Sequence, residues 1–178
     1  MNMNFVPECY FDTTLVKAIL GVKKVNHQKG CATVVKEMRE SKLLKSDFAV
    51  GIIDKDKREL DYIKDNFKIE INSGNLILLK HKEKPHYIVQ VSPAIEKWIL
   101  NVAEEGNIDI GDFGLPTDLN KLCKYTKTDK VDEDPNLIRF CQGLVNSESK
   151  TMRTLTLWLQ YLFEHNRDAD VEEMKKLA

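Results

Sequence analysis

Net charge is nearly absent from this chain of 178 residues: 27 Lys and Arg stand against 28 Asp and Glu, a formal balance of −1. No global electrostatic drive toward nucleic acid or an anionic membrane follows from such a balance. A local basic groove is still available from those 27 residues. Long apolar runs are missing too. None approaches the ~20 residues needed to span a bilayer, so no membrane association is expected. The four cysteines, Cys9, Cys31, Cys123 and Cys141, include no C-x-x-C pair. That spacing argues against a zinc site and for reduced thiols in a cytoplasmic protein. The opening MNMNFVPE has no basic segment followed by an apolar core, so no signal peptide is expected. Internal repeats and low-complexity stretches are also lacking.

What remains is an ordinary globular composition. Apolar residues make up 42% and charged residues 31%, enough for a core and for one domain with a small appendage. The pattern divides near residue 105. Up to that point apolar runs alternate with helical periodicity. Strands are expected at 4–7, 22–26, 48–53, 67–71, 76–80 and 86–91. Helices are expected at 13–20, 31–44 and 93–104, with a short helix or loop at 57–67. Asp12, Thr13 and Thr14 offer caps for the first helix, and Ser92-Pro93 opens the last. Strand-helix alternation implies right-handed crossovers and a mainly parallel α/β sheet flanked by helices. Residues 106–178 read as a helical extension packed on or beside the domain at 1–105. Its helices are expected at 117–125, 135–145 and 149–164, with a terminal turn at 172–177.

The stretch 48–59, FAVGIIDKDKRE, is the centre of this pattern. An unbroken apolar run reads as a strand buried on both faces. It ends in Asp54 and Asp56. Ligand chemistry in open α/β sheets sits beyond the carboxyl ends of such strands. Glu8 ends the first strand, which exposes the same edge if the two are neighbours. Glu8, Asp54 and Asp56 would then converge. Carboxylates without a nearby His or Cys make an oxygen site for Mg²⁺ or Mn²⁺, suited to phosphoryl transfer. Asp12 and Glu96 are further candidate acids. Lys55, Lys57 and Arg58 are placed to hold a phosphate backbone and keep the acids ionised.

FVPECYFDTTLVKAIL resembles the first motif of Toprim domains, in which a strand ends in Glu and an Asp follows four residues later. FAVGIIDKDKRE resembles the Toprim DxD motif. Gln28-Lys29-Gly30 resembles the loop before the second Toprim helix, and PAIEKWIL a later acidic segment of the overcoming-lysogenization-defect nucleases and their small relatives. The resemblance covers about residues 4–104. It implies a βαβαβ core and a metal-dependent nuclease. Glu8 would be general acid/base or ligand, Asp54 and Asp56 ligands, Asp12 and Glu96 supporting or second-metal ligands, and Lys29 a contact to nucleic acid. Cys9 departs from the family, standing where Gly is usual.

Blander readings stand beside these. Asp54 and Asp56 fit a solvated turn, Asp12 a helix cap and Glu96 a first-turn acid favoured by the helix dipole. His81 and His86 fit an exposed basic hairpin, and Trp98 and Trp158 the core. One alternative function is a catalytically inactive Toprim-like module that partners an ATPase or other protein. Another is a phosphatase-like domain with Asp54 as nucleophile.

Overall fold

The structure is a computed structural model and describes residues 3–55 and 60–177. Among the described residues five strands form one sheet: β1 (Phe5–Pro7), β2 (Ala49–Asp54), β3 (Phe67–Asn72), β4 (Leu76–His81) and β5 (His86–Val91). Their order is β1-β2-β5-β4-β3. β1, β2 and β5 are mutually parallel, whereas β4 runs antiparallel to both its neighbours, β5 and β3. The sheet is therefore mixed, where a mainly parallel one was expected. The cause is short connections. The NSGN turn, with Gly74 at φ 75°, folds β4 back on β3. Only residues 82–85 join β4 to β5, too few for a crossover.

Helices cover both faces. α1 (Tyr10–Leu20), α4 (Ile95–Glu105), α6 (Pro135–Val145) and α7 (Lys150–His165) lie on one side. Leu15, Trp98, Phe140 and Trp158 meet Phe5, Val50, Ile52, Tyr87 and Val89 there. α2 (Cys31–Glu40) and α3 (Asp61–Asn66) cover the other side, where Val34, Val35, Met38 and Ile63 meet Ala49, Ile53 and Ile88. β2 is thus apolar on both faces because both are covered. Gly51 sits under α2. A Cβ there would lie 2.9 Å from Met38 Sδ and 3.1 Å from Val34 Cγ1, so glycine permits the close approach of helix to strand.

Several expected elements differ in detail. The strand at 22–26 reduces to a bridge at Val25. Asn26 and Gln28 amides donate to the Phe5 and Pro7 carbonyls, so this segment covers the outer edge of β1 without becoming a full strand. Lys23 and Lys24 are exposed and give it no buried face. α2 stops at Glu40, and Leu44 rather than Leu43 turns inward, Leu43 being 65% exposed. His81 and His86 are buried, not part of an exposed hairpin. His81 Nδ1 accepts from the Glu83 and Lys84 amides at 3.0 and 3.2 Å. Burial, then His86 and Lys84, push its pKa down to about 4.

The region after 106 adds α5 (Leu119–Thr126) and α8 (Val171–Lys175) to α6 and α7. One apolar core runs from Phe5 to Met174. Long-range ties reinforce it: Tyr87 Oη donates to the Ala169 carbonyl at 3.0 Å and Gln160 Nε2 to the Ile19 carbonyl at 3.3 Å. Among the described residues, no helix is long and apolar enough to cross a membrane.

Candidate active site at the carboxyl edge of the sheet

The parallel register brings the carboxyl ends of β1 and β2 together, Pro7 opposite Ile52 and Asp54 opposite Val91 of β5. Past Pro7 the Glu8 amide still donates to the Ile52 carbonyl at 3.0 Å. This extension of the ladder turns the Glu8 carboxylate toward β2, where Oε2 accepts from the Asp54 amide at 3.0 Å. The Asp54 carboxylate in turn accepts from the Ile95 amide at 3.0 Å. α4 begins at Ile95, with Ala94 as a cap residue that makes no side-chain bond. Asp54 therefore caps α4 from across the fold, a role expected of Ser92.

α1 starts at Tyr10, three residues earlier than its apolar pattern suggests. Cys9 is its cap, with Sγ accepting from the Asp12 amide at 3.4 Å. Cys9 has φ −130° and ψ 172°, extended backbone open to any residue. A side chain at this position therefore strains nothing. Asp12 falls in the first helical turn and is buried. Burial first, then the Asp54 carboxylate, and to a lesser degree Glu8, push the Asp12 carboxyl well above its usual range; the bond to Cys9 opposes this. Burial, then Asp12, raise the Cys9 thiol well above its ordinary value, which makes it a poor nucleophile.

The remaining expected residues divide. Glu96 lies in the first turn of α4 and accepts from Thr126 Oγ1 at 2.8 Å, so it faces α5. Lys55 follows β2 and is exposed. Asp56, Lys57 and Arg58 lie outside the described residues. Lys29 stands 5.6 Å above the Tyr10 ring.

A cavity of about 250 Å³ opens beside Glu8, lined also by Cys9, Tyr10, His27, Lys29, Gly30, Thr126 and Lys127. It lies where the chain leaves β1 for α1 on one face and re-enters through α2 on the other, the position at which open α/β sheets bind ligands. Sequence patterning singled out neither Tyr10 nor His27. Their pairing is a tertiary fact: the rings stack at 4.5 Å with 13° between planes. Tyr10 Oη donates to Asp129 Oδ1 at 2.8 Å, tying the cavity to the C-terminal region. His27 Nδ1 lies 2.9 Å from Thr13 Oγ1. That hydroxyl donates its own proton to the Cys9 carbonyl at 2.8 Å. Nδ1 must therefore be the donor, which leaves a lone pair on Nε2. Burial lowers the His27 pKa, against the pull of Asp132, so the neutral ring is favoured.

Hard carboxylate oxygens are the donor set that Mg²⁺ or Mn²⁺ takes. Asp12 supports the fit, as a buried carboxylate in the field of two others that a cation would relieve. Among the described residues, no three His, Cys, Asp or Glu side chains group closely enough to hold an ion. The chain matches no protein-family model, no curated protein and no solved structure.

Proposed function

We propose that the chain is a Toprim-like, Mg²⁺-dependent nucleic-acid-processing enzyme, a nuclease acting at the carboxyl edge of β1 and β2. The observation that supports this best is the meeting of Glu8 with the start of the DKD segment, with the buried Asp12 beside them. Glu8 and Asp54, with Asp56 of the same segment, would hold the cation. Asp12 lies close enough to feel both described carboxylates and serves as a supporting ligand. A bound divalent cation would polarise a phosphodiester and lower the pKa of the attacking water. The chain's own part is to orient these carboxylates through backbone amides and to present Lys29 and Lys55, with Lys57 and Arg58, to the phosphate backbone. Glu96 acts through α5, by its bond to Thr126.

The test is cleavage of plasmid and single-stranded substrates under a Mg²⁺ or Mn²⁺ titration. Asp54→Asn combined with Asp56→Asn should abolish divalent-dependent cleavage. The carboxamide oxygen introduced by Asp54→Asn can still accept from the Ile95 amide, so the fold should survive. Cleavage that persists in the double variant would defeat the assignment.

One observation favours a second reading, a catalytically inactive module that grips a partner ATPase or another protein. The Glu8, Asp54 and Glu96 carboxylates each accept a bond from within the fold, as purely structural acids would. A thermal shift that ignores Mg²⁺ and Mn²⁺ at millimolar concentration would select this reading.

A further inference from the structure

One wall of the cavity beside Glu8 comes from late in the chain. Thr126 closes α5, and Thr126 and Lys127 line the cavity together with Glu8, Cys9 and Tyr10. Residues 127–130 then run exposed, without helix or strand, between two buried anchors, Thr126 and Val131. Thr126 Oγ1 is fixed further by donating to Glu96 at 2.8 Å. Between the anchors, among the described residues, one hydrogen bond ties the segment to a distant part of the fold: Tyr10 Oη donates to Asp129 Oδ1 at 2.8 Å. Its backbone bonds are local, Thr128 amide to Tyr125 carbonyl at 3.0 Å and Val131 amide to Thr128 carbonyl at 3.3 Å. Lys130 holds a left-handed φ of 59°, a conformation that costs a residue with a Cβ and collects at switch regions. The two partners of the distant bond differ in stiffness. Tyr10 opens α1, and its ring is stacked on His27 at 4.5 Å with the Lys29 ammonium 5.6 Å from its centroid. Asp129 rides on the exposed segment. The bond between them is itself exposed, so water competes for both partners and holds its net strength low.

We infer that residues 127–130 form a strap, latched by Tyr10 Oη on Asp129, whose release opens the cavity beside Glu8 to a polymer. With the strap latched, the cavity holds about 250 Å³, below the roughly 300–1,000 Å³ that drug-sized ligands occupy. A nucleic-acid strand is larger than such a ligand and needs a way in and a way out. Moving the Lys127 wall supplies that room, while the buried Thr126 and Val131 keep the strap attached. The inference adds regulation to the site of the nuclease reading and rests on that reading for what is admitted.

Cys9 lines the same cavity and supplies the probe. The experiment is N-ethylmaleimide labelling of the full chain at one fixed pH, with Cys9 and Cys141 followed separately by peptide mass spectrometry. Labelling that waits on a fast opening tracks the population of the open form. Asp129→Ala removes the acceptor and should speed Cys9 labelling about fivefold, the order expected from losing one exposed hydrogen bond. Tyr10→Phe keeps the ring on His27, removes only the donor and should do the same. Asp129→Asn keeps an acceptor oxygen and should stay within about twofold of the parent. Cys141, fully buried in the core, should stay unlabelled throughout. Equal Cys9 labelling in the parent and in Asp129→Ala overturns the inference. So does labelling of Cys9 and Cys141 together, which would mean a general loosening of the fold. The readout needs neither cation nor substrate, so either of these results leaves the nuclease reading standing.

Discussion

Asp12 carries an unusual burden for one residue. It is a buried carboxylate facing two others, with its pKa driven up by burial and by them. A group whose folded pKa lies above its unfolded value stabilises the fold fully below the unfolded pKa, and that contribution is lost as pH rises through the folded pKa. Asp12→Asn should therefore raise the melting temperature in EDTA at alkaline pH and change it little near pH 4. The gain should be at least the ~1–3 kcal/mol that an unsatisfied buried polar group costs, since this one is charged. The variant should also blunt any stabilisation by Mg²⁺, since it removes one hard donor. Calorimetry at two pH values, with and without Mg²⁺, reads all of this. A variant less stable than the parent at alkaline pH would contradict the account. The type and spacing of Asp12 could be read from the chain, but its burial could not. That depends on α6, whose Cys141 thiol feels the Asp12 charge.

At the scale of elements, β2 and α2 are coupled through an absent side chain. Gly51→Val would drive its branched carbon into Met38 and Val34. Met38 can yield by rotating, whereas Val34 is stiff at χ1. Overpacking of this kind costs about 1–3 kcal/mol, so urea midpoints should fall with an unchanged m-value. A midpoint equal to the parent's would mean that α2 does not press on β2 as described. Elements whose signals are local were legible in sequence. β2 followed from its apolar run and α6 from Asp134 and Pro135, which cap and open it. α1 was misplaced at its start because Cys rarely caps a helix. The cap of α4 was hidden because it comes from Asp54, 41 residues earlier. The strand expected at 22–26 failed because a single bridged valine cannot define a face.

For the molecule as a whole, the expected division near residue 105 marks a change in composition, not in packing. The core that begins at Phe5 ends at Met174, and Lys17 pairs with Asp132 at 2.8 Å. A chain truncated after Glu105 would expose Phe11, Leu15, Trp98 and Ile99, all buried in the full structure. Such a fragment should fail to give a cooperative melting transition and should bind hydrophobic dyes. A cooperatively folding fragment would instead show that the helices are an accessory. The acids of the candidate site were legible because they follow a strand-end pattern early in the chain. Its far wall was not, since Thr126 and Lys127 reach it only through the packing of the entire chain.

That separation has a consequence in time. Synthesis proceeds from the N-terminus, and domains fold as their segments emerge, at about 5–20 residues per second. Glu8 and Asp54 leave the ribosome well before Lys127, and the core that seats Lys127 closes only with α7 and α8. A nascent chain that ends before Lys127 therefore lacks one wall of the cavity. The order of synthesis thus separates the two sides of one cavity by more than a hundred residues of chain, Glu8 on one side and Lys127 on the other.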